Sequence, residues 1–528
     1  MEMNKFGFEL AEKPYFYGSH YSSAASVLYF LVRVQPFSDL FRDLQGGKFD
    51  LPDRMFHSVG HSWLISSELS SSDVKELIPE FYYLPDMFIN SQSFRFGEKQ
   101  NGEIVNDVIL PPWAKGDPRL FVMLHRQALE SDYVTLHLPE WLDLIFGYKQ
   151  RGPSSVTALN VFHPLTYEGN ADLDEIDDDI RLEAMLAQIR SYGQTPIQLF
   201  CKPHVHPSVS RASLCLESVG ADPEVLLYFT KNFECTNITS FAVTASKLIS
   251  LSEKKIFLFL GTEELILSYN EWDGRLRVSK SVDNKTFLFA DLECPFFNND
   301  SITCCSVSLL DSVCRLFAGS ESGTIYMLSV HQQNENFKVT PLRTTHSHLQ
   351  KVTCVATCSR YGLLVSASAD NTTYIWDLAS LEVRHEITSD DGQVRTCLIE
   401  KMQGDILMLQ DKREADTGSI LSLWDINGKL LCKRGTSEVI NCVCFSNEKF
   451  DFSKLFAGLN NGEIHVYSVY DLSRVFCIEA VRAVPVTALA VNKNNKYLIS
   501  GDRAGDVRIW GPVALNSERS KFSKWVGI

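Results

Sequence analysis

The chain has 528 residues, 45% of them hydrophobic and 22% charged, with a formal net charge of −15 and a pI near 5.4. At about 100 to 200 residues per domain, that length holds two or three compact units with ample buried core. The acidic balance excludes a chain-wide attraction to nucleic acid or anionic lipid and leaves only local basic patches for such contacts.

The opening "MEMNKFGFEL" lacks the apolar stretch of a signal peptide, and no apolar run reaches the roughly 18 residues of a membrane span. The longest candidate, "SVLYFLVRV", is cut by Arg33. These features predict a cytoplasmic chain whose membrane association is peripheral. The 14 cysteines stand singly or at strand spacing and include no Cys-x-x-Cys pair. They read as small buried hydrophobes, and a structural zinc finger is excluded.

To about residue 207 the rhythm is helical, with long irregular connections. "DPRLFVMLHRQALES" offers Asp117 as N-cap, Pro118 at the first helical position and Leu120, Phe121, Leu124 and Ala128 on one face. "EWLDLIFGYKQRGP" begins as an amphipathic helix with Trp141, Leu142, Leu144, Ile145 and Phe146 toward an apolar side, and ends polar and donor-rich. "DDDIRLEAMLAQIRSYGQTP" sets Asp177 to Asp179 at the positive helix end, Arg190 near the negative end and Gly193 as the stop. Segments such as "LIPEFYYLPDMFIN" follow neither the helical nor the strand period, so side-chain packing and specific polar contacts must order their backbone.

The aperiodic passage around "HVHPSVSRASLCLESVG" marks a linker, drawn at 208–234. Beyond it short alternating strands recur, each beside a Gly, Asn or Asp turn: "LSYNEWDGRLRV", "LFAGSESGTIYML", "LLVSASADNTTYIWDL", "GSILSLWDI", "LFAGLNNGEIHVYSV" and "YLISGDRAGDVRIW". Their spacing of about 40 to 50 residues matches a four-stranded propeller blade, in six or seven copies. One copy is the fullest, with His348 ahead of Val352, Asp370 in the turn, Trp376 closing the strand and Ser366 or Ser368 supplying a hydroxyl between them. A His, Ser and Asp together invite a hydrolase reading, but the repeat explains all three as a structural set.

The motifs "YFYGSHYSSAASVLYFLVRVQPFSDLF", "LQGGKFDLPDRMFHSV", "DVKELIPEFYYLPDMFIN", "LPPWAKGDPRLFVMLHRQALESDYV", "WLDLIFGYKQRGP", "NVFHPLTYEG" and "YGQTPIQLF" occur in the order of a BEACH domain. The chain thus resembles the C-terminal part of the large BEACH and WD-repeat proteins. The resemblance implies a mainly α-helical and irregular BEACH domain over 1–207, then an all-β WD-repeat propeller over 235–528. It implies a non-enzymatic scaffold in vesicle or lysosome trafficking or selective autophagy, without cofactor. Implied partners are proteins of the endosomal, lysosomal or autophagy machinery, with indirect recruitment to those membranes. The match begins inside the family pattern, so the front of the domain is expected to be missing. Val27, Leu28, Phe30 and Leu31 would then be left exposed.

Several candidate sites are weighed against plainer roles. In "FGYKQRGP" the glycine spacing fits neither a phosphate loop nor a dinucleotide fingerprint, so the run reads as a helix C-terminus ended by Gly152 and Pro153 or as a docking surface of Trp141, Tyr148, Lys149, Gln150 and Arg151. Cys201, His204 and His206 have ligand types but no evident fourth ligand, and "DLDEIDDDIRLE" lacks the glycine of a calcium loop, so no metal is expected. The sequons at Asn237, Asn299 and Asn371 are chance matches in a cytosolic chain. The alternative function is an enzyme with Asp53, His57, Lys75 or His125 lining a BEACH cleft, although no spacing fixes a nucleophile beside a base.

Overall fold

The computed structural model describes the chain outside residues 1–13, 71–72, 130, 171–177, 206–224, 233–237, 244–247, 252–254, 261–262, 270–275, 283–284, 293–299, 311–312, 334–335, 390, 413–417, 447–453, 493–496 and 513–528. It divides into two compact units, 1–212 and 213–528.

The first unit carries α1 (Ala24–Leu31), α2 (Phe37–Leu44), α3 (Val59–Leu64), α4 (Pro118–Leu129), α5 (Asp132–Ile145), α6 (Pro153–Thr157) and α7 (Asp179–Tyr192). Local chemistry sets their ends. Ser23, Ser58 and Ser131 accept a backbone N–H at the starts of α1, α3 and α5, and Asp117 Oδ1 accepts those of Arg119 and Leu120 at α4. Asp178 caps α7, and Gly193 stops it with φ +77°. Between the helices, single turns start at prolines: Pro52–Arg54, Pro79–Tyr82, Pro85–Phe88 and Pro112–Ala114.

The aromatics of those turns form the core. Phe30 of α1 meets Phe56 and Phe81 edge-on, with centroids 5.1 and 5.0 Å apart, and Phe88 meets Phe121 of α4 at 4.8 Å. Edge-to-face pairs of this kind add about 0.5 to 1.5 kcal/mol each beyond their buried area. Leu28, Phe30 and Leu31 are buried here and Val27 packs against them, so the expected exposure of this face is corrected. Phe30 and Leu31 are covered by the chain's own Phe56, Phe81 and Phe88, and Leu28 by Phe41, Met55 and Phe96, contacts that reach far along the sequence.

The second unit is built of antiparallel sheets. The first pairs Ser240–Val243 with Leu248–Leu251. Each sheet after it has four strands, with chain neighbours paired. The second sheet spans 255–292, the third 302–346, the fourth 352–388, the fifth 394–435, the sixth 440–478 and the seventh 486–512. Val225–Asn232, read as linker, is a strand: it pairs with Asp506–Pro512 as the outer strand of the seventh sheet. Among the described residues this makes seven sheets, six of four strands and one of two.

A repeated irregularity joins them. The third to seventh sheets each bulge at one place on the first strand, next to Ile302, Val352, Val394, Ile440 and Val486. Beside each bulge a side chain donates to a carbonyl of the next sheet or, from the seventh, to one just ahead of the first sheet. Thr303 reaches Val352, Thr353 reaches Val394 at 2.6 Å, Arg395 reaches Ile440, Cys442 reaches Val486 at 3.7 Å and Thr487 reaches Ile238 at 2.6 Å. The glycine of the repeated "LFAG" follows from the same approach. A Cβ on Gly319 or Gly458 would stand 2.5 or 2.6 Å from Val352 or Val486 of the neighbouring sheet.

Candidate functional site

A cleft of about 520 Å³ opens in the first unit. Trp141, Leu144 and Ile145 stand at i, i+3 and i+4 on one face of α5, Tyr17 and Tyr21 come from the extended segment before α1, and Phe162 from the chain after α6. Across from them run Ser66 to Glu68 and Asp73 to Glu76. A second cavity of about 420 Å³, lined by Ser19, Ser23, Ser26, Tyr29 and Ser191, shares Ser70, Asp73, Val74 and Lys75 with the first.

Charge is distributed unevenly in the cleft. Lys75 is held by Asp73 and lies 4.6 Å over the Tyr29 ring, so its cation is already offset. Glu76 has no ion-pair partner among the described residues. Crowding by protein atoms pushes its carboxyl above the ordinary range. Burial raises the Tyr21 hydroxyl to about 12, with the Glu76 charge adding to the effect. The arrangement suits an aromatic or apolar side chain between ring walls beside a carboxylate.

The five predicted docking residues part company. Trp141 is 48% exposed on the cleft wall. Lys149 lies 5.7 Å over its neighbour Tyr148, and both are half-buried; exposed Arg151 covers the Tyr167 ring at 5.2 Å. Gln150 is 2% exposed, and its amide donates to the carbonyls of Ile145 and Pro196, the latter at 2.9 Å. It ties the end of α5 to a distant strand of chain and cannot meet a partner, which corrects its place in the docking set. Gly152 and Pro153 are corrected likewise: Gly152, with φ +75°, is the N-cap of α6, and Pro153 begins that helix.

The residues of the enzyme alternative do not converge. Asp53 accepts the Gln100 N–H, His57 Nδ1 lies 2.9 Å from the Met55 carbonyl, and His125 stacks between Trp113 and Phe81. Of the four, Lys75 alone lines the cleft. His204 Nδ1 is 2.7 Å from Asp143 Oδ1, while Cys201 is exposed; His206 lies outside the described residues. Asn371 sits in a turn with φ +66°, and Asn237, Asn299 and the acidic run up to Asp177 also lie outside them.

In the fourth sheet Ser366 Oγ lies 2.8 Å from His348 Nε2 and accepts the Trp376 indole N–H at 2.8 Å. His348 Nδ1 is 3.0 Å from the Thr372 hydroxyl, which donates to Asp370 at 2.6 Å. Burial lowers the basicity of His348 against the pull of Asp370, so a neutral ring bridges two hydroxyls. The seventh sheet repeats the scheme with other residues: Trp510 donates to Ser500 at 2.8 Å, while Arg508 bridges Asp502 at 2.8 Å and Asp506 at 3.0 Å. Sequence reasoning missed this second set, although the Trp and Ser stand 10 positions apart in both sheets.

Comparison with known proteins adds the family. Residues 1–207 match the Beige/BEACH domain, and 339–377 and 479–511 match the WD domain, G-beta repeat. The chain is 33% identical over 563 residues to the human lysosomal-trafficking regulator, which covers 94% of this chain and 14% of that protein. It is 33% identical to Protein SPIRRIG of Arabidopsis thaliana over 94% of this chain and 14% of that protein, and 32% identical to human WD repeat- and FYVE domain-containing protein 4 over 94% and 17%. The chain therefore spans 14% to 17% of the length of these relatives. A BEACH domain followed by four-stranded WD sheets places this chain among the BEACH-domain and WD-repeat proteins.

Proposed function

We propose that this chain is a docking scaffold in vesicle and lysosome trafficking that performs no chemistry of its own. Its two binding faces are the cleft of the BEACH unit and the rim of the WD sheets. The observation that carries the reading is Trp141, a large aromatic 48% exposed on a cleft wall whose lining includes just one of the four candidate catalytic residues. Exposed aromatics in a concave surface are the usual anchors of protein contacts. Likeness to a lysosomal-trafficking regulator supports partners from the endosomal, lysosomal or autophagy machinery. Among the described residues no helix is long and apolar enough to cross a membrane, in keeping with recruitment through such partners.

The bulge-to-carbonyl series running from the third sheet through the seventh to Ile238 supports closure of the sheets into one propeller ring, with Val225–Asn232 fastening its ends. Proximity labelling in cells with the full chain tests the function. Enrichment of vesicle, lysosome or autophagy factors is expected, and recovery of ribosomal or nuclear proteins alone would overturn it.

A further inference from the structure

The outer edge of the sixth sheet carries a group that the docking reading leaves unused. His465 on Ile464–Ser468 stands directly opposite Cys477 on Arg474–Ile478, and Glu463 precedes His465 by two positions in the turn that opens its strand. One ligand atom from each lies within 4.8 Å of the other two. His465 Nε2 is 3.1 Å from Glu463 Oε2, and the ring is buried, while Glu463 is half-exposed and Cys477 exposed. On the other side of the ring His465 Nδ1 is 3.3 Å from the Tyr467 hydroxyl, itself 2% exposed.

We propose that Glu463, His465 and Cys477 form a zinc site with one position open to solvent or to a partner's ligand. Zinc is commonly bound through thiolate, imidazole and carboxylate at about 2.0 to 2.3 Å, which sets neighbouring donors about 3.3 to 3.8 Å apart. The three atoms need close by only about 1 Å to reach that spacing, within side-chain rotation at a sheet edge. Tyr467 supplies what a ligating histidine requires. Without metal, Nε2–H donates to Glu463 and Nδ1 faces the Tyr467 hydroxyl; when zinc takes Nε2 the ring proton moves to Nδ1, where that hydroxyl accepts it and holds the ring in place. On binding, zinc takes the Nε2 lone pair, a carboxylate oxygen and the Cys477 sulfur, whose S–H proton leaves to solvent. The pairing of a cross-strand Cys with Glu-x-His answers the metal-binding question differently from the Cys201, His204 and His206 run, where His204 is engaged by Asp143.

The test is zinc binding to the purified, chelator-stripped full chain, read by competition with a chromophoric chelator and by the thiolate charge-transfer band of the cobalt form. One zinc per chain is expected, with the band present. Cys477→Ser should abolish the band and weaken zinc by at least about tenfold. Glu463→Gln, which keeps a polar side chain at a half-exposed turn, should weaken zinc while leaving the band. Tyr467→Phe should cost about tenfold through the lost second contact. Melting temperature read alongside separates misfolding from ligand loss, and Cys477 and Glu463 are exposed enough that both variants fold. Absence of stoichiometric zinc, or zinc binding unchanged in both C477S and E463Q, would overturn the site.

Discussion

The two units satisfy their buried backbone by opposite means. In the WD unit the strands satisfy one another in antiparallel ladders, and side chains add a repeating stitch beside the bulges. In the BEACH unit much of the backbone is neither helix nor strand, and single polar side chains are driven into the interior to serve it. Arg33, 1% exposed, donates to the carbonyl of Phe56 at 2.6 Å and to that of Asn106 at 2.5 and 2.8 Å. Asn90 spans Phe94 and Asn106, and Asn160 spans Leu144 and Lys149. Repetition spreads the load in one unit, whereas the other concentrates it in a few residues.

That contrast makes Arg33 the most damaging target. Arg33→Leu leaves two buried carbonyls without donors, and a loss of about 2 to 5 kcal/mol is expected, visible as an early BEACH transition in urea unfolding of the full chain. A shift below about 1 kcal/mol would show that the load is shared there too. In the WD unit Ser366→Ala removes the acceptor of the Trp376 indole and a partner of His348, for about 2 kcal/mol. Thr353→Val deletes one stitch, the bonds to Ala367 and Val394, and should cost about 1 kcal/mol because its neighbours hold the same joint.

A pH-dependent effect belongs to the BEACH unit. Burial holds His20 at about 4, against an ordinary 6.5. The unfolded chain takes up this proton below pH 6.5, but the folded chain does not until about pH 4. Stability is therefore level above that window and falls as pH drops through it. His20→Gln should flatten the slope of melting temperature between pH 6.5 and about pH 4 for the BEACH transition alone.

What could be read in advance follows the same division. Repeats announce themselves, so the strands around Trp376, Trp424 and Trp510 were legible. Caps such as Asp117 and Gly193 were legible because their chemistry is local. Contacts between distant residues without a period were not. Nothing near Gln150 announces the Pro196 carbonyl, nothing near Val27 to Leu31 announces the phenylalanines that cover them, and Val225–Asn232 finds its partner strand at the far end of the unit. The cleft was legible only through Trp141 and Lys75, since Tyr17, Glu76 and Phe162 reach it from separate segments.

Trp141 and Gln150 lie on the same short stretch yet divide between binding and support. Proximity labelling with the full chain carrying Trp141→Ala, beside one carrying Gln150→Ala, tests the central claim. We expect Trp141→Ala to lose a defined subset of vesicle, lysosome or autophagy neighbours, by about tenfold or more, with an unchanged melting temperature. Gln150→Ala should lower the melting temperature of the BEACH transition through its two lost bonds. A Trp141→Ala chain that folds normally and keeps the full set of neighbours would contradict the assignment of the cleft as a docking face.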